Sequence, residues 1–188
     1  MQEEEIENFE PYQKQLEDSM INELLNYVRE GTKLKNPASS MTECYSIVYS
    51  LSNKKMNNFL IEYYNEVSEK AVTECYEKIK DLSGTELIDS FIMYTERLNC
   101  LFYFMAYIFS YIREGKYAQH ISHYSMNSYK QNFYDKLKEK IDEILKGDTV
   151  NEEKKGKMKT LISFTEIEYP KIIKTSPESF VWTEDKID

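Results

Sequence analysis

The sequence of 188 residues predicts an all-α fold, and three observations predict it. Glycine and proline are scarce, five and four residues, so strands would have few places to turn. Leu, Ile, Met, Glu, Lys and Tyr are frequent, and all but the tyrosines rank high or middling as helix formers. Apolar residues recur every three or four positions in each long segment, and four of the five glycines, Gly31, Gly84, Gly115 and Gly147, fall between segments, while Gly156 weakens the sixth. The length suits one domain with a substantial core.

Pro11 fits the first turn of an opening helix that runs to about Arg29, with Leu16, Met20, Leu24 and Val28 on one stripe and Gly31 ending it. Residues 33–37 read as a linker. A cap at Ser39 or Ser40 predicts a second helix over about Met41 to Leu51, on which Met41, Cys44, Tyr45 and Val48 share a face. The third runs from about Lys54 to Leu82 through Met56, Phe59, Leu60, Tyr63, Val67, Ala71 and Ile79, and stops at Ser83-Gly84. A fourth helix, capped by Thr85 and reaching about Arg113, is apolar nearly all round in its second half and is expected in the middle of the domain. A fifth, about Tyr117 to Lys146, aligns Ile121, Tyr124, Tyr129, Phe133, Leu137, Ile141 and Leu145. A sixth helix starts after Gly147-Asp148 and ends before Pro170. The organisation expected is an acidic extension over 1–10, a helical domain over 11–169 and a tail over 170–188. The tail holds Ile172, Ile173, Phe180, Val181 and Trp182 without a helical period, and reads as docked apolar cover or an exposed sticky strip.

With 24 basic against 33 acidic residues the net charge is −9, and no segment gathers a phosphate-tracking basic stripe, so nucleic acid is not an expected partner. The longest apolar run, Leu98 to Ile112, is short of the ~20 residues that a bilayer span needs, so no membrane is expected either. The acidic opening lacks the positive charge of a targeting leader, and a cytoplasmic or nuclear location is the expectation. Cys44, Cys75 and Cys100 are far apart and have no metal-ligand spacing, so they read as reduced core thiols.

The order of elements has a family likeness. CYSIVYSLS at Cys44 to Ser52, SYIREGKY at Ser110 to Tyr117, and HYSMNSYKQNFYDKL at His123 to Leu137 stand in the order and separation found in a cullin repeat. KGDTVNEEKKGKMKTLISFTEI extends the match, which covers about Pro11 to Tyr169. The chain resembles the N-terminal, first repeat of the cullin family. It departs from the pattern where Tyr94 or Thr95 replaces a tryptophan of the fourth helix, where Arg113 comes one position early, and where fewer basic residues precede the fifth helix.

The resemblance implies a bundle of five to six helices with right-handed stacking of long antiparallel helices. It also implies a non-catalytic scaffold domain of a cullin-RING-type ubiquitin ligase, which binds a substrate adaptor through helices two and five. The implied partner is a BTB-fold adaptor, either S-phase-kinase-associated, elongin-C-like or a BTB protein, together with the rest of a cullin scaffold if the chain is a fragment. A short homologue would act as a decoy that occupies adaptors without delivering ubiquitin. Carried over by position, the adaptor contacts are Met41, Tyr45, Ser46 and Val48 from helix two and His123, Tyr124 and Asn127 from helix five. Against this, a stripe at helical spacing is more often core, so some of these must pack inward. A helical bundle of another kind, serving tethering or self-association, is the competing class.

Other constellations read more blandly. His120 and His123 form HxxH without a third ligand, so a surface or interface role outweighs zinc, although a histidine there could make adaptor binding pH-sensitive. Glu62 with Glu66, and Glu139 with Glu143, fall among Lys and Asn on outward faces, where solvation and not acid–base work is expected. No nucleophile elbow, phosphate loop or zinc-protease motif occurs, so no enzyme and no cofactor are expected. Glu152 to Lys159 mixes signs and reads as a solvated helix start. Ser176-Pro177 would suit phosphorylation only as any such dipeptide does.

Overall fold

The computed structural model describes residues 8–114 and 119–165. The expected extension over 1–10 therefore lies largely outside the described residues, and the tail over 170–188 wholly so, along with the expected helix end before Pro170.

The all-α expectation holds, with six helices and one two-residue ribbon among the described residues. Helix α1 is continuous through Glu10–Leu16, a π-wound turn at Glu17–Ile21, and Asn22–Glu30. Pro11 lies in its first turn, where a missing N–H costs nothing, and Asn8 Oδ1 accepts the Glu10 N–H at 3.1 Å. Gly31 closes α1 at φ +74°, donating its N–H to the Tyr27 carbonyl at 2.8 Å. Only glycine fits, because that φ is left-handed and a Cβ would overlap the Arg97 guanidinium. Arg97 in turn donates to the Val28 carbonyl at 3.3 Å, satisfying an orphan acceptor at the helix end.

Helix α2 spans Pro37–Asn53 and starts earlier than the serines suggest. Asn36 takes the left-handed conformation at φ 46° and Pro37 sets the first helical φ, so Ser39 and Ser40 lie within the first turn and not before it. Helix α3, Asn57–Ile79, buries its expected stripe except Phe59, which is exposed, and α4, Gly84–Ile108, ends before the expected Arg113. The cap of α4 is Ser83 in extended conformation, not Thr85. Strands β1, Arg113–Glu114, and β2, Gln119–His120, pair antiparallel with Arg113 opposite His120. That ribbon delays helix α5, which begins at His123 and not near Tyr117, and runs through His123–Tyr129, a second π turn at Lys130–Tyr134, and Asp135–Lys146. Helix α6, Glu152–Thr165, lies along α4.

The two π turns have their cause in the sequence. In α1 one row of buried positions is Leu16, Met20, Leu24 and Val28, and in α5 one is Ser125, Tyr129, Phe133, Leu137 and Ile141. Every step is four residues, which overshoots one 3.6-residue turn by about 40°. A wide turn absorbs one extra residue and returns the subsequent positions to the core side. Adjacent pairs are buried within the π turns, Met20 with Ile21 and Phe133 with Tyr134, and also outside them, Leu24 with Leu25 and Ser128 with Tyr129.

Helix α4 is central, meeting α1, α2, α3, α5 and α6, while α3 separately packs on α5. Across the α1–α3 seam, Arg29 grips Glu74 with two hydrogen bonds of 2.6 and 2.9 Å. The Arg29 bond holds the Glu74 carboxyl below its ordinary value of 4.5. A carboxyl depressed in the native state stabilises the fold above its unfolded pKa and loses that contribution as pH falls through the native one. The pair is about one-third exposed, so solvent screening keeps the effect small. Glu74→Gln should therefore show a smaller fall in thermal midpoint than the parent between neutral and acid pH, and identical falls would refute the coupling.

Candidate functional site

The most exposed aromatic surface is built by two helices. Tyr45 and Tyr49 lie one turn apart on α2, while Tyr107 lies in the last turn of α4 and Tyr111 in the turn that follows it. Tyr45 stands 5.7 Å from Tyr107 and 5.3 Å from Tyr111 between ring centroids, and Tyr49 stands 5.0 Å from Tyr111. Tyr49, Tyr107 and Tyr111 keep 47%, 46% and 52% of their surface exposed, while Tyr45 is half-buried among them. The end of α4 is pinned by Phe109 and Ile112, both buried, which leaves Tyr107 and Tyr111 pointing outward. Hydrogen bonding with Tyr111 pushes the Tyr45 phenol up to about 12, so the group is an uncharged donor and acceptor at neutral pH. The surface offers rigid, amphipathic rings and no fixed charge.

The opposite flank of α2 borders a shallow groove of about 660 Å³ lined by Tyr12, Gln15, Glu43, Ser46, Ile47 and Ser50. Tyr12, one of the lining residues, accepts a hydrogen bond from Lys54 at 3.0 Å. Ser46 turns its hydroxyl to the Thr42 carbonyl at 2.9 Å and stays exposed.

The adaptor contacts implied by position separate accordingly. Tyr45 belongs to the tyrosine cluster and Ser46 to the groove, and Met41 is half-buried against the core. Val48 is withdrawn from the surface: it has 0% exposure and faces inward with Cys44 and Leu51, so it supports the helix and offers nothing to a partner. On α5, Asn127 is exposed, and His123 and Tyr124 are half-buried with rings 4.0 Å apart. The end of α4 joins the two groups. Phe109 meets Tyr64 of α3 at 5.3 Å, the Tyr64 hydroxyl bonds Ser125 of α5, and Arg113 pairs with His120 just before α5.

Tyr49, Tyr107 and Tyr111 are exposed aromatic residues of this candidate surface that the sequence reading passed over. The signal was present as tyrosine pairs at i and i+4, but Tyr107 and Tyr111 sit in the run from Leu98 to Ile112 that reads as uniformly buried.

Other side chains have quieter settings. Burial pushes the thiols of Cys44, Cys75 and Cys100 each up to about 12, which leaves them protonated and poorly nucleophilic at neutral pH. His120 lies in β2 and His123 opens α5, so HxxH is not a helical pair. Among the described residues no group of three His, Cys, Asp or Glu could hold a metal ion, and no helix is long and apolar enough to cross a membrane. Glu62, Glu66, Glu139 and Glu143 are all exposed, as solvated carboxylates should be. No family model matches the chain, and neither does any curated protein or solved structure.

Proposed function

We propose that this chain is a non-catalytic scaffold domain of the cullin-RING type, holding a BTB-fold substrate adaptor against α2, the end of α4 and the start of α5. The observation that carries the reading is the tyrosine surface of Tyr45, Tyr49, Tyr107 and Tyr111, standing where the cullin-like text CYSIVYSLS and SYIREGKY comes together. Interfaces draw most of their energy from a few rigid aromatic anchors, and tyrosine presents large area at low entropic cost. Ser46 and Asn127 would supply the polar rim, and His123 with Tyr124 the α5 contact. Buried Val48, Phe109 and Ile112 hold the anchors at fixed separation, which a positional scaffold requires.

The test is titration calorimetry of the domain with purified adaptors of the S-phase-kinase-associated, elongin-C-like and BTB classes. Tyr45→Ala/Tyr49→Ala, with helicity unchanged, should weaken the binding adaptor at least ~30-fold, the loss expected for a ~2 kcal/mol hot spot. Equal affinity of parent and variant would move the adaptor off this surface. If no adaptor binds the parent, the adaptor reading fails and the same exposed tyrosines favour a self-associating or tethering bundle. Where an adaptor does bind, ubiquitin transfer to its substrate by the full-length protein separates a working scaffold from a decoy.

A further inference from the structure

Helix α6 runs toward the tyrosine cluster, whether or not an adaptor binds there. Lys154 pairs with Asp89 at 2.5 Å and Lys157 with Glu96 at 2.6 Å, so α6 climbs α4 in the same direction as α4 itself. Met158 and Leu161 are buried and press it there. On α4, Asp89 to Glu96 and Glu96 to Tyr107 are steps of about seven and about eleven residues, each returning to the same side of a helix within ~20°. The ridge beside α6 therefore ends at Tyr107. From Lys157 to the end of α6 at Thr165 the rise is ~12 Å, and from Glu96 to Tyr107 it is ~16 Å, so the chain leaves α6 about one turn short of the tyrosine cluster.

The segment beyond α6 has the right chemistry for that cluster. Pro170 and Pro177 each disfavour helix at the residue before them, and Ile172, Ile173, Phe180, Val181 and Trp182 provide apolar side chains. Such apolar side chains are suited to a surface of amphipathic aromatic rings, and Tyr45, Tyr49, Tyr107 and Tyr111 form one. We propose that residues 170–182 fold back within the same chain onto the tyrosine cluster as its resident occupant.

Trp182 is the only tryptophan, so its emission reports on the segment alone. In the full chain the emission should be blue-shifted and shielded from acrylamide. Tyr107→Ala/Tyr111→Ala replaces two half-exposed rings, and with helicity unchanged should shift the emission to the red and raise the quenching constant several-fold. Ile172→Ser/Ile173→Ser, which changes no residue of the described helices, should do the same with helicity unchanged. Emission of a fully solvated indole in the parent would overturn the proposal, as would shielding that neither double variant changes. Shielding that vanishes on dilution would place the segment on a second copy and overturn it equally.

Discussion

Phe133→Ala is expected to destabilise the domain by ~3–5 kcal/mol, the usual cost of emptying a buried phenylalanine site. Phe133 is fully buried in the π turn of α5, stacked 5.2 Å from Phe91 of α4 and with the tilted ring of Tyr129 at 5.5 Å. Domains of this size are stable by only ~5–15 kcal/mol, so the loss would remove a large share of the total. Urea unfolding should show a lower midpoint with the slope preserved. A loss below ~1 kcal/mol would mean the site collapses freely and the stack is unimportant. Because the rings share a contact, Phe91→Ala combined with Phe133→Ala should be non-additive by ~0.5–1.5 kcal/mol.

The second large effect is polar. The Ser125 hydroxyl stands 3.2 Å from that of Ser68 and also bonds the Tyr64 hydroxyl, and all three residues are buried. Ser125→Ala removes the shared partner from two buried groups and should cost ~1–3 kcal/mol, more than a single exposed hydrogen bond would. Removing the whole network with Tyr64→Phe, Ser68→Ala and Ser125→Ala should recover most of that loss, since no hydroxyl is then stranded. Equilibrium unfolding of the single and triple variants separates the cases. A triple variant much less stable than the single one would show that the hydroxyls contribute through their bonds and not through the cost of being unpaired.

Helix order and most of the core could be read from spacing, because burial imposes its period on the sequence. Leu16, Met20, Leu24 and Val28 are all buried as their stripe predicts, and so are Tyr129, Phe133, Leu137 and Ile141. Boundaries were less legible where two local signals competed. Pro37 overrode the serine caps of α2, and a two-residue ribbon displaced the start of α5. The site was the least legible part. Exposure at Tyr107 and Tyr111 depends on what packs beside the end of α4, and no periodicity within that segment carries this information. Val48 shows the converse, since its neighbours Tyr45 and Tyr49 are surface-accessible although all three lie within little more than one turn.

The π turns also determine which changes of chain length α5 can absorb. Within Lys130–Tyr134 the helix already carries one residue more than a regular winding needs. Deleting exposed Gln131 would shorten the step from Tyr129 to the next core position to three residues, and the turn could close into ordinary α-helix with Leu137 and Ile141 still facing inward. The same deletion at Lys138, past the wide turn, has no slack to draw on and would rotate Ile141 by about 100° off the core. Helix α5 thus has one place where its length is negotiable, and it lies in the turn that carries Phe133 of the aromatic stack.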